Sequence, residues 1–176
     1  AVVFATVNTV GVTTYAWTSD IEIGAGLTGV GDMSFTATNT GTEPLVATII
    51  VTPTFTNDGV SCDGPAESFT ITVNPTAQVN IPADQVVCNT ELTTMLFTTE
   101  NTVGVTTYAW TSDIEIGAGL TGAADGFPVL YTAINLGTEP LVATIIVTPT
   151  FTNDGVGCVG PTESFTITVN PTGQVD

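Results

Sequence analysis

The sequence predicts an all-β protein built as two tandem β-sandwich modules. Three observations carry this. Thr, Val and Gly dominate the composition, and hydrophobic residues make up 43% of the chain. Apolar and polar residues alternate in short runs bounded by turn residues. Long stretches of the chain occur twice.

Branching at Cβ stiffens Thr and Val and suits them to a pleated strand. The apolar fraction is that of a chain able to bury a core. The charge inventory narrows the function classes. The chain has 17 Asp and Glu, no Lys, no Arg and no His, for a formal charge of −17. Such a chain cannot neutralise phosphates or an anionic lipid surface, so neither nucleic-acid binding nor membrane insertion is expected. Side-chain salt bridges are impossible within it, which leaves apolar burial, backbone ladders and cross-strand pairs to hold the fold. Without His or Lys there is no Ser-His-Asp or Cys-His nucleophile, no Schiff base and no P-loop. Only carboxylate chemistry survives, and the chain is expected not to be an enzyme. No run reaches the length of about 18 apolar residues that a membrane helix needs.

The repeat sets the domain organisation. Residues 8–29, NTVGVTTYAWTSDIEIGAGLTG, recur as 101–122. Residues 41–60, GTEPLVATIIVTPTFTNDGV, recur as 137–156, and ESFTITVNPT at 67–76 recurs at 163–172. A period of about 93 residues is too long for a solenoid coil and suits a self-contained sandwich. The expected domains are residues 1–76 and 77–176. An insertion in the second copy, around Ala123, Ala124, Gly126 and Pro128, is expected in a loop. The first copy has no counterpart of residues 81–93, IPADQVVCNTELT, while NPTGQVD at 170–176 matches NPTAQVN just before Ile81. Two expectations follow. Either the array continues covalently, or a neighbouring copy donates the strand that the first module lacks.

Strands are expected at 85–88, 94–100, 105–112, 114–116, 129–135, 141–151 and 164–169 in the second copy, with a turn at 152–155. About seven short strands with turns between them fit an immunoglobulin-like sandwich. Trp17 and Trp110 fall where such a sandwich places a core tryptophan. Cys62 and Cys158 are repeat equivalents. The expected pairing is Cys88 with Cys158 inside the second copy, and Cys62 with a cysteine outside this segment or on a neighbour. The first bridge would close a loop of about 70 residues, contributing ~4 kcal/mol in the chain-entropy description. An oxidising, extracellular compartment would follow. The alternative is three free thiols buried in the core.

YAWTSD at 15–20 and 108–113, the VATIIVTPTF strand and the closing FTITVNPT resemble the PKD-like, immunoglobulin-like repeats of Bacteroidota surface proteins. The resemblance spans essentially the whole chain. It implies a module of a very large secreted adhesin at the cell surface and supplies no catalytic residues.

Other candidates are weaker. Asp20 with Glu22, and Asp113 with Glu115, read as carboxylates alternating along a strand, able to form an acid pair, to hold calcium or to solvate an edge. Asp58 and Asp154 place oxygen ligands in Asn-Asp-Gly turns, candidates for calcium, though an ordinary hairpin turn explains them as well. No other cofactor is expected. Exposed Thr residues suit strands and also offer hydroxyls to surface glycans. The leading expectation is a structural repeat of an extracellular fibre, filament or adhesin stalk whose partners are copies of itself or neighbouring repeats. The alternative is a glycan- or surface-binding module. With neither Lys nor Arg present, trypsin should leave the chain intact even when urea unfolds it. A tryptic fragment detected by mass spectrometry would contradict this.

Overall fold

The computed structural model describes residues 1–126 and 128–175. Among them every regular element is a strand: β1 (Val12–Ser19), β2 (Thr28–Val30), β3 (Leu45–Asn57), β4 (Val60–Asp63), β5 (Glu67–Val73), β6 (Gln85–Cys88), β7 (Leu92–Met95), β8 (Val105–Ser112), β9 (Thr121–Ala124), β10 (Val129–Thr132), β11 (Leu141–Asn153), β12 (Val156–Val159) and β13 (Glu163–Asn170). The strands form several sheets, as a β-sandwich requires. The chain divides into two compact units, Ala1–Asn74 and Pro75–Asp176.

Each unit is organised around one 13-residue strand, β3 or β11. Along one edge β11 pairs antiparallel with β8, from Ile145↔Ser112 to Thr152↔Val105. Its other edge is shared by β13, from Leu141 to Val147, and β12, from Thr150 to Asn153. The same registers hold β1, β5 and β4 on β3. Period-two alternation decides which face is buried: Thr106, Tyr108, Trp110 and Ser112 point inward along β8 while their neighbours face solvent. Unit 2 adds β6, parallel to β13. Its second layer contains the β7–β10 pair.

Residues 96–100, the remainder of the strand expected at 94–100, leave the ladder of β7. Thr98 bridges to Asn80 instead, and Asn101 N donates to Thr99 Oγ1 at 3.0 Å. Residues 114–116 form no strand, because the loop after Ser112 is closed by its own carboxylates, as described below. Part of the insertion lies in a strand, with Ala123 and Ala124 pairing with Ala109 and Tyr108.

The two cores use the same positions with compensated side chains. In unit 1 Val2 bridges Met33; in unit 2 Met95 stands opposite Val129. Each pair holds one Met and one Val in exchanged places, which conserves the volume between the layers. Met33 and Met95 are both fully buried. Met95→Val should therefore destabilise unit 2 by about 1–2 kcal/mol through the gap it leaves. Adding Val129→Met should recover most of that loss. Denaturant midpoints of the two single variants and the double variant would measure it, and simple additivity would contradict it.

Candidate functional site

The carboxylates singled out by the sequence are used to close loops. Thr48 N donates to Asp20 Oδ1 at 2.7 Å, and Asp20 N donates to the Thr48 carbonyl at 3.3 Å. Asp113 and Thr144 repeat this pairing at 2.7 and 3.4 Å. Glu22 Oε1 accepts the N–H groups of Gly24 at 2.6 Å and Gly26 at 2.9 Å, and Glu115 does the same for Gly117 and Gly119. These residues follow the ends of β1 and β8 and do not alternate along a strand, which corrects the expectation. The Thr48 N–H holds Asp20 below the usual carboxylate range, and the Gly26 and Gly24 N–H groups do so for Glu22. A lowered pKa contributes stability above the usual carboxylate range, and that contribution is lost as acid protonates the group.

Asp58 and Asp154 occupy tight two-residue hairpin turns. Each has φ +48°, followed by Gly59 at +78° and Gly155 at +75°. Two successive left-handed residues match the twist of the flanking strands. Each turn contributes one Asp, whereas calcium takes six to eight oxygens. Among the described residues no group of three or more His, Cys, Asp or Glu is placed to hold a metal.

Cys88 and Cys158 do not pair. Cys88 aligns with Asn170, beyond the Leu141 end of β11, whereas Cys158 pairs with Phe151 near the other end. Their levels are on the order of 30 Å apart along the sheet, against less than about 7 Å between Cα atoms for a disulfide. All three thiols are free, and none is buried: Cys62 and Cys88 are exposed and Cys158 is half-buried.

Trp17 and Trp110 are core residues, 6% and 3% exposed. Each lies across a glycine on the neighbouring strand, Gly29 or Gly122 in the paired register. A Cβ on either glycine would collide with the indole. Asn135 was not singled out by the sequence, yet it is 2% exposed and ties three segments together. Its Nδ2 donates to the Val169 and Glu139 carbonyls at 2.7 and 2.9 Å, and its Oδ1 accepts Gly137 N at 2.9 Å. Asn39 makes the same three bonds in unit 1. The repeated Asn-x-Gly is the signal that could have found it.

Besides the β6 that unit 2 adds, the units differ in how one set of core walls is covered. In unit 1 a groove of about 820 Å³ is walled by Phe4, Tyr15, Phe55 and Phe69, with Asn8 and Gly64 at its margin. The repeat counterparts Phe97, Tyr108, Phe151 and Phe165 are all buried, while the four groove residues are only half-buried. In unit 2 the segment 76–81 lies across these positions. Ala77 is fully buried, and Val79 and Ile81 pack on the core. Gln78 N donates to Asn101 Oδ1 at 2.7 Å, and Asn101 Nδ2 donates to the Thr76 carbonyl at 3.2 Å. Asn80 and Thr98 exchange backbone bonds at 2.7 and 3.2 Å. Asn8, the counterpart of Asn101, is exposed, its Oδ1 accepting the Thr6 and Thr13 hydroxyls at 2.7 and 3.5 Å.

No family model matches the chain, and no curated protein matches it. No helix of the described residues is long and apolar enough to cross a membrane.

Burial pushes the Tyr131 hydroxyl up to about 12, and that hydroxyl is buried without a hydrogen-bond partner. The folded chain keeps this proton after an unfolded chain releases it near pH ~10. Its contribution is intact below that pH and is lost as pH rises toward about 12. Unit 1 has Phe35 at the equivalent position. Tyr131→Phe is expected to raise stability at neutral pH by about 1 kcal/mol, by removing an unpartnered buried hydroxyl. It should also shrink the alkaline loss. Denaturant midpoints across pH would read both effects, and an unchanged alkaline slope would contradict the assignment.

Proposed function

We propose that the chain is a structural repeat of an extracellular fibre, filament or adhesin stalk, of the PKD-like, immunoglobulin-like kind, whose subunits polymerise by strand donation. The observation that carries this reading is the sameness of the two units in their central registers, loop closures and core contacts. Strand registers, Glu and Asp loop closures, Asn39 and Asn135 networks and Trp-over-Gly contacts all recur. A scaffold of interchangeable units needs such repetition, whereas a binding module or an enzyme needs one distinctive surface. The open groove of unit 1 supports strand donation, because it exposes the apolar walls that unit 2 covers with its own chain. Cys62 lines that groove and is exposed, where a cysteine from outside this segment or on a neighbour can reach it. An extracellular location follows from this reading.

Negative-stain imaging of the concentrated protein tests it. The expected result is regular filaments with a bead spacing of about 40 Å, the length of a 13-residue strand. Monodisperse short particles at every concentration, together with saturable binding to a glycan array, would overturn it.

A further inference from the structure

The strand-donation reading leaves the donor unnamed, and the inference below rests on that reading. Residues 170–176 read NPTGQVD and residues 74–80 read NPTAQVN. The second of these includes the segment that covers the groove walls in unit 2. The first follows β13, and residues 172–175 are exposed, with Val175 at 99%. Asn89 Nδ2 donates to Thr172 Oγ1 at 2.8 Å, which ties the start of this segment to the turn after β6.

A glycine provides a second, independent sign that the groove of unit 1 is shaped for a cover. In unit 2, a Cβ on Gly160 would run into the Ala77 carbonyl. In unit 1, a Cβ on Gly64 would meet only Pro53, at 3.0 Å from its Cγ and 3.7 Å from its carbonyl oxygen. Unit 1 thus keeps the close-approach residue without the approaching strand.

We propose that the groove of unit 1 is the acceptor site for residues 171–175 of a second copy of this chain. The contacts follow from those of unit 2. Asn8 Nδ2 donates to the Thr172 carbonyl and Asn8 Oδ1 accepts Gln174 N, replacing the hydroxyl contacts that Asn8 has now. Gly173 passes over Gly64. Val175 takes the position that Val79 holds against the core. The chain carries −17 and no side-chain cation, so two copies repel each other at long range. Docking therefore depends on short-range apolar contact and backbone bonds and strengthens with added salt.

The test is two-dimensional NMR of the ¹⁵N-labelled full chain diluted from about 1 mM to about 20 μM, a range that captures weak association. Amides of Phe4, Asn8, Phe55, Gly64 and Phe69 should shift with concentration, more strongly in sodium chloride. Three variants should lower the apparent affinity at least tenfold: a chain ending at Asn170, Val175→Asp in the exposed tail, and Gly64→Ala on the acceptor side. Val175→Asp lies outside either core, so its loss of association cannot come from unfolding. A synthetic peptide of residues 170–176 should restore the shifts in the truncated chain. The proposal is overturned if no shift occurs at about 1 mM, or if the shifts survive truncation. It is also overturned if the truncated chain answers a peptide of residues 75–88 and not one of residues 170–176, since the groove then takes a longer strand from elsewhere. Imaging separates these failures from failure of the fibre reading: filaments that persist without this docking leave that reading standing with another donor, and loss of both overturns both.

Discussion

Closure of one side of the sandwich by an extended segment is the constraint on which the two units turn. In unit 2, residues 76–81 cross the walls formed by β8, β11 and β13. Ala77, Val79 and Ile81 turn inward, and Asn101 holds the backbone between them. Val79 and Ile81 are half-buried, so each contributes part of the about 1.5–3 kcal/mol that complete burial of such a side chain would. The segment also seals Tyr108, Phe151 and Phe165, which would otherwise share the partial exposure of Tyr15, Phe55 and Phe69. The sequence of β1, β3 and β5 is nearly that of β8, β11 and β13. The difference between the units therefore comes from what covers the strands.

That dependence is sharpened by the charge. Every ionised side chain in the molecule is an anion, so side-chain electrostatics contribute only repulsion, and the carboxylates that stabilise do so by accepting backbone N–H groups. Asp20, Glu22, Asp113 and Glu115 serve this purpose, satisfying donors where the strand ladder stops. The remainder of the stabilisation is apolar: a tryptophan laid over a cross-strand glycine, a Met–Val pair whose members can be exchanged, and alternating Ile and Val along the central strand. Such contacts are local to each unit, which lets one unit be repeated without redesign.

The all-β class, the central strands and the hairpin turns were legible in the sequence because each rests on local chemistry. Alternation placed Val105–Ser112 to the residue, and Asn-Asp-Gly marked the turns. The buried tryptophans followed from their place on one face of an alternating strand. Tertiary choices were not legible. Residues 96–100 have strand composition, but Thr98 is claimed by Asn80 and the adjoining Asn101 by the crossing segment. The Cys88–Cys158 inference failed because repeat position says that a cysteine recurs and nothing about which end of a strand each occupies. The carboxylates after Ser19 and Ser112 looked like a face of a strand, since alternation alone cannot tell a strand from a loop that folds back on its own N–H groups. Of the groove, the sequence offered only a missing counterpart to residues 81–93; its walls and the Asn8 hook required coordinates.

The near-identity of the two units makes the central claim directly measurable within one molecule. Hydrogen exchange of the full chain, resolved by NMR, compares amides such as Ile49 and Ile145, whose local sequences are the same and whose intrinsic exchange rates therefore match. If closure by residues 76–81 governs stability, the β3 and β5 amides in dilute solution exchange at least tenfold faster than their β11 and β13 counterparts, a difference of about 1.4 kcal/mol or more. Equal protection of the two sets in dilute solution would contradict the account.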